Sequence, residues 1–379
     1  MSSYSREQIL AALETVVETG VPTSLAARLL DVGSERYLSF FKKEIIDGIL
    51  RPGGATCCFY EGAYGSGKTH LLHLLRHLAQ QNDLLVAEVE LSQNADFSSW
   101  HTVTNLILEN LEFQTVNGAI KSVPRILDFL ATKLDPSRFA LKQFALPHVG
   151  FVNAMEIYLR RNRQLGDFGK KRLADYLMGQ RITAGTLRRF GIEGVKNPLS
   201  QRNAEIVFNT VLSALYHLGF PTLILFDEID QTFQNVRLNS RRVQEAANLV
   251  RRLIDACSVS RLEGVCMVFA VSMNFMSRCN AVYPALGDRV TIDRYFLETP
   301  NWRLPMVDLD TINDFRDQDE FTEQAVKRFC ELADSLKLGD RVGKTTLYAS
   351  AREVLLENAG SNFRRPLVRR LASELLRVL

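Results

Sequence analysis

Apolar positions along the chain fall first into a helical rhythm. Ile9, Leu10, Leu13, Val16 and Val17 recur at three- and four-residue spacing, and Gly20-Val21-Pro22 breaks the helix they predict. Thr23 or Ser24 can cap a second helix, and Leu38, Phe41, Ile45, Ile46 and Ile49 share one face of a further one. The period then changes. Ala55-Thr56-Cys57-Cys58-Phe59-Tyr60, bounded by Pro52-Gly53-Gly54, is a short apolar run of the kind that forms a buried strand. Leu71 to Ala79 predicts a helix, and Leu84 to Ser92 a second strand whose Glu88-Val89-Glu90-Leu91 end leaves one face partly solvated. Trp100 to Leu111 is amphipathic at helical period. From about 113 to 205 the strand signal disappears, and helix-like stretches are interrupted at Pro124, Pro136, Pro147 and Pro198. Strand signal returns at Thr222-Leu223-Ile224-Leu225-Phe226, at Gly264 to Val271 and at Trp302 to Leu309. Between the first two lies an amphipathic helix, Val243 to Ala256, with Arg241, Arg242, Arg251 and Arg252 on its exposed side. The C-terminus reads as helices over Thr322 to Leu336, Thr345 to Glu357 and Phe363 to Leu379, the last capped by Asn362.

Continuous apolar strands alternating with helices predict an α/β fold around a parallel sheet. This pattern divides the chain into an N-terminal helical segment (1–50), a core formed by 51–112 with 206–310, an inserted helical subdomain (113–205) and a C-terminal helical unit (311–379).

Chemistry concentrates where the first strand meets its helix. Gly62-Ala63-Tyr64-Gly65-Ser66-Gly67-Lys68-Thr69-His70 reads G-x-x-x-x-G-K-T, a phosphate-binding loop. Its glycines allow backbone N–H groups to turn inward as an anion nest, and the helix after it aims its positive end at the phosphates. Lys68 supplies a cation for the β- and γ-phosphates, and the Thr69 hydroxyl a ligand for Mg²⁺. A second centre is Asp227-Glu228, two carboxylates at the carboxyl end of a buried strand, where ligands bind in parallel sheets. Asp227 would hold Mg²⁺ directly or through water, and Glu228 would orient and polarise an attacking water. Ser272 or Asn274, ending the next strand, could reach the γ-phosphate or that water. Arg289 could be supplied to a neighbouring subunit's nucleotide, or could sit in a local surface ion pair. Arg364 and Arg365 fall in the first turn of the last helix, where the dipole disfavours cations; they meet either an anionic ligand or solvent as a surface pair. The 5–50 segment has two readings: a wall beside a nucleotide base, or a helical cap on the sheet edge.

Composition narrows these readings. Of 379 residues, 46% are hydrophobic and 23% charged, as in ordinary globular proteins, and the net charge of +3 alone does not argue for nucleic acid. Charge is uneven: between Leu159 and Lys196, Arg160, Arg161, Arg163, Lys170, Lys171, Arg172, Arg181, Arg188, Arg189 and Lys196 outnumber Asp167, Asp175 and Glu193. Such a face can take a DNA backbone without sequence preference, dock an acidic partner, or simply be solvated. No aromatic interleaving points to base stacking. No apolar run reaches the roughly 20 residues of a membrane span, and no signal peptide is visible. Six cysteines without C-x-x-C spacing disfavour a zinc site and fit a reduced, cytoplasmic setting.

Taken together, the chain resembles the AAA+ ATPases, specifically the ATP-binding proteins of BREX-type phage-defence systems (the BrxC/BrxD-like group). The likeness is carried by Gly20-Val21-Pro22 with Ala26-Ala27-Arg28-Leu29-Leu30, Tyr64 to His70, Ala174-Asp175-Tyr176-Leu177-Met178-Gly179, Asp227-Glu228, Val268-Phe269-Ala270 and Ala285-Leu286-Gly287-Asp288-Arg289-Val290. The resemblance covers roughly residues 20 to 375. It implies an ASCE-type P-loop NTPase core of five parallel strands in order 5-1-4-3-2 with a helical lid. It also implies ATP-dependent work on DNA in antiviral defence, as an oligomer beside a helicase or methyltransferase. By matched position Arg289 is the arginine-finger candidate and Arg364 or Arg365 the sensor-2 candidate. The resemblance leads one to expect an acid in the loop where Ala63 stands. Two other functions fit the same motifs: a nucleotide-gated adaptor with little hydrolysis of its own, and a small-molecule kinase, for which no acceptor-binding motif stands out.

Overall fold

The computed structural model describes residues 4–90, 97–160, 165–180, 182–191, 199–229, 241–258, 261–273, 275–282, 284, 286, 302–303, 305–312, 315, 317–339, 341–358 and 363–379. Among these residues seven strands form one sheet: β1 (Ala55–Glu61), β2 (Leu85–Glu90), β3 (Leu111–Thr115), β4 (Gly118–Lys121), β5 (Thr222–Asp227), β6 (Val265–Val271) and β7 (Met306–Asp308). Their order is β4-β3-β2-β5-β6-β1-β7. β7, β1, β6, β5 and β2 are mutually parallel; β3 and β4 are antiparallel additions beyond β2. Numbered among themselves, the parallel strands run 5-1-4-3-2.

The sheet therefore differs from the expected one in being seven-stranded and mixed, and the stretch after residue 113 is not strand-free. β3 is five residues long and follows directly on the helix that ends at Asn110, so its alternation, Leu111-Glu112-Phe113-Gln114, is too short to stand out from the helical pattern before it. Glu112 of β3 is 4% exposed, and its carboxylate accepts from Arg76 Nε (2.9 Å) and Gln80 Nε2 (2.9 Å). Gly118, at φ 120°, then turns the chain back so that Phe113 faces Ile120 and Glu112 faces Lys121.

The central strands β5 and β6 are buried along nearly their whole length, as expected of parallel strands covered on both faces. One face meets α4 (Lys68–Gln81) together with Tyr37, Phe41 and Ile46 from α3 (Glu35–Phe40) and the π-helical turn that continues it, Phe41–Leu50. The opposite face carries α5 (Trp100–Asn110), α6 (Val123–Lys133), α7 (Val149–Arg160), α8 (Gly166–Leu177), α9 (Ala184–Arg189), α10 (Ala204–His217) and α11 (Arg241–Ser258).

A separate apolar cluster joins the two ends of the chain. It unites α1 (Arg6–Thr19) and α2 (Ser24–Leu29) with three C-terminal helices, Gln318–Ser335, Lys344–Glu357 and Arg364–Leu376. The first is capped by Ser5, whose Oγ accepts from Gln8 N while Gln8 Oε1 accepts from Ser5 N; Thr23 caps the second. Asn362, expected to cap the last helix, lies outside the described residues. Among the described residues no helix is long and apolar enough to cross a membrane.

Candidate functional site

The carboxyl ends of β1, β6 and β5, neighbours in the sheet, open into a cavity of about 420 Å³. The 62–67 loop enters it directly after β1, Ser272 directly after β6, and Asp227-Glu228 at the end of β5. The loop is held by its own geometry. Gly62 N donates to Val271 O (3.0 Å), and Gly65 and Gly67 sit at φ 81° and 103°, a region side chains disfavour. A Cβ at Gly62 would fall 2.4 Å from Ser66 Oγ, so only glycine lets the loop close this tightly. Ser66 Oγ is buried inside the loop and has no hydrogen-bond partner among the described residues.

Lys68 opens α4, and its Nζ donates to Gly62 O (2.9 Å) and Ala63 O (3.0 Å), so the cation crosses the mouth of the loop. Thr69 Oγ1 donates to Asp227 Oδ2 (2.7 Å), tying the loop helix to β5. Asp227 Oδ1 accepts from Glu228 N (2.9 Å), and Glu228 itself is exposed at φ 57°, a strained backbone for a non-glycine residue. Thr69 and Asp227 offer two hard oxygen donors side by side, which fits Mg²⁺, an ion that takes one or two protein oxygens plus phosphates and water. Among the described residues no cluster of three or more His, Cys, Asp or Glu could hold a metal by itself.

The cavity is lined further by the apolar Val16, Val21, Pro22, Leu30 and Val32 with Gly20, Asp31 and Ser34, and by Ile312, Phe321 and Val368 from the C-terminal side. Of the two readings of the 5–50 segment, its 16–34 part forms a cavity wall while Tyr37 to Leu50 covers a sheet face. His70 Nε2 lies 3.4 Å from Asp31 Oδ1 on the same wall.

The arginine pair divides. Arg364 Nη1 donates to Ser66 O (3.2 Å), Nη2 pairs with Asp310 Oδ1 (3.1 Å), and the guanidinium lies over the Phe321 ring (5.2 Å). Burial pulls Arg364 below the usual arginine range, and Asp310 and Asp308 oppose that shift. Arg365 turns the other way, to Tyr64 Oη (2.8 Å) and Thr19 O (2.9 Å). Carbonyl and carboxylate oxygens thus offset the helix dipole that disfavours cations in this turn.

The structure therefore brings together Gly62, Tyr64, Gly65, Ser66, Gly67, Lys68, Thr69, His70, Asp227, Glu228, Ser272, Arg364 and Arg365; Ala63 is exposed in the loop between them. Asn274 and Arg289 lie outside the described residues. Sequence reasoning missed Asp31, Asp310 and Phe321. An acid just beyond a strand end, the signal that marked Asp227, would have found Asp310. On the insert, Arg160, Lys171, Arg172, Arg188 and Arg189 are exposed, while Lys170 lies 3.5 Å from Asp128; Arg161, Arg163, Arg181 and Lys196 fall outside the described residues. Phe168, 69% exposed beneath Arg172, is an aromatic that the sequence pattern did not bring out.

Comparison with known proteins gives one family match. The model of the BREX system ATP-binding protein BrxC/D matches residues 1–137 and 138–366. No curated protein and no solved structure matches. The chain belongs to the BREX system ATP-binding protein BrxC/D family.

Proposed function

From this family membership and the cavity at the strand ends, we propose that the chain binds ATP with Mg²⁺ and hydrolyses it to ADP and phosphate, within a BREX phage-defence system. The observation that carries the reading is one cavity of about 420 Å³ lined both by residues suited to phosphates (Gly65, Ser66, Gly67, Lys68, Thr69) and by apolar residues suited to a base (Val21, Pro22, Leu30, Val32). The triphosphate would lie along the loop N–H groups and α4's N-terminus, with Lys68 exchanging the Gly62 and Ala63 carbonyls for phosphate oxygens. Thr69 and Asp227 would hold Mg²⁺, which when bound neutralises charge on the phosphate oxygens. Glu228 would accept a hydrogen bond from the attacking water and take its proton as the bond from the γ-phosphorus to its bridging oxygen breaks. Arg364, 17% exposed and bonded to Ser66 O and Asp310, would turn its guanidinium to the γ-phosphate. Ser272 or Asn274 would sense that phosphate, and Arg289 would act on a neighbouring copy's nucleotide in a homo-oligomer.

The architecture of this reading is an AAA+ core (51–112 and 206–310) with an inserted basic subdomain (113–205) and a C-terminal lid (311–379) packed on the N-terminal segment (1–50). The exposed cations of α7 to α9 would take a DNA backbone without sequence preference, beside a helicase or DNA-modifying partner. Titration calorimetry with Mg·ATP on wild type and Lys68→Ala tests the site. Saturable 1:1 binding that weakens at least about 30-fold in the variant supports it, on the scale of one lost charge-assisted contact. Equal affinity of the two proteins overturns it.

A further inference from the structure

Arg364 and Arg365 are adjacent in sequence but face different structures. Arg365 is wedged between the phosphate loop and the end of α1. Its Nη1 donates to the hydroxyl of Tyr64 on the loop (2.8 Å), and its guanidinium lies 5.4 Å from that ring's centre. Its Nη2 donates to Thr19 O (2.9 Å), in the last turn of α1. One turn further along the same helix, Arg369 Nε and Nη2 donate to Val17 O (3.1 and 2.7 Å). Helix ends leave their last carbonyls without intrahelical partners and carry the negative end of the dipole, so two arginines from the Arg364–Leu376 helix cap α1 from outside.

The residue after that turn is fitted to the arginine. Gly20 sits at φ 67°, and a Cβ there would fall 2.7 Å from Arg365 Nε. Val21 and Pro22 come directly after it and line the cavity, and Val21 N donates to Thr19 Oγ1 (3.1 Å). The position of this wall therefore depends on where Arg365 holds Thr19 and Gly20.

We propose that Arg365 is a positioning residue for the base-side wall of the cavity, whereas Arg364 is the arginine directed at the phosphate end. The inference rests on the reading of this cavity as an ATP site. It predicts a selective effect. Without Arg365 the Gly20-Val21-Pro22 wall relaxes, and the cavity loses affinity for the part of the ligand that carries the base. The phosphate-binding loop keeps its glycines, Lys68 and Arg364.

The test compares two ligands, Mg·ATP and Mg·tripolyphosphate, by titration calorimetry on the full chain. For Arg365→Gln the dissociation constant for ATP is expected to rise about tenfold while that for tripolyphosphate moves less than about twofold, as loss of a charge-assisted tie acting on one end of the site requires. Arg365→Lys keeps the cation but cannot span Tyr64 and Thr19 together, so it should show the same selective loss. Gly20→Ala, which crowds Arg365 from the other side and strains the backbone at φ 67°, should also weaken ATP more than tripolyphosphate. Should Arg365→Gln not fold, Tyr64→Phe removes one acceptor alone and should shift ATP affinity in the same direction, by about threefold. Equal losses for both ligands would make Arg365 a phosphate ligand and overturn the inference, as would no loss for either. A wild-type chain that binds neither ligand fails at the ATP site itself and takes this inference with it.

Discussion

Replacing Asp227 by Asn separates chemistry from structure at the site. Asp227 accepts two hydrogen bonds, from Thr69 Oγ1 at 2.7 Å and from Glu228 N at 2.9 Å. Asparagine keeps the second through its own Oδ1. At the first, its amide N–H donates to the Thr69 hydroxyl, reversing that bond without breaking it. What is lost to the fold is charge assistance in a half-buried setting, about 1 kcal/mol or less, and hence a melting shift of about 2 °C for a chain of this size. The loss to turnover is larger, because an amide replaces the carboxylate proposed to support the metal. Removal of a preorganised electrostatic contact of this kind typically costs at least about 10²-fold, or about 2.7 kcal/mol. The assay is steady-state phosphate release at saturating ATP across a Mg²⁺ titration, run beside thermal melting. The expected variant melts with wild type but turns over at least about a hundredfold more slowly and needs more Mg²⁺. Turnover within about threefold of wild type would remove Asp227 from the reaction. A melting point lowered by about 10 °C, with turnover falling in proportion, would make it a structural tie instead.

The same geometry sets three further outcomes. Gly62→Ala drives a Cβ to within 2.4 Å of the buried Ser66 Oγ, so ATP affinity should fall at least about tenfold with a stability loss of about 1–3 kcal/mol, measured by calorimetry and denaturant unfolding. Burial, with Arg28 nearby, lowers His77 from 6.5 to about 4, so in that window the unfolded chain binds the extra proton and stability falls as pH falls; His77→Gln should flatten this part of a urea-midpoint profile, and an unchanged slope would rule the group out. Changing Arg160, Lys171, Arg188 and Arg189 to Glu should weaken duplex DNA binding and reduce its salt slope by about 3, and an unchanged slope would end the case for a DNA contact there.

How far the sequence reached depends on whether a feature is local. That the 62–70 loop and Asp227-Glu228 meet at neighbouring strand ends was legible because each sets its residue types within a few positions of a strand end. β5 and β6 were legible because burial on both faces requires continuous apolar residues. β3 was not, because it is five residues long and follows a helix without a break, so its Leu111-Glu112-Phe113 alternation merges into the helical pattern before it. The joining of α1 and α2 to the C-terminal helices was equally hidden: an amphipathic face shows that a partner exists but not which one it is. The different directions of Arg364 and Arg365 are set by Ser66 and Asp310 on one side and by Thr19 and Tyr64 on the other, contacts that no spacing rule encodes.

The central claim is hydrolysis of ATP at the loop facing Asp227 and Glu228. Its most direct test is phosphate release by wild type and Glu228→Gln, each with and without DNA and over a range of protein concentration, with Mg·ATP affinity measured in parallel. The account predicts turnover by wild type, and a variant that binds ATP within about threefold of wild type yet turns over at least about 10²-fold more slowly, because the residue acts on the water and not on the nucleotide. Tight ATP binding by wild type with no turnover at any concentration, or turnover undiminished in Glu228→Gln, would contradict it.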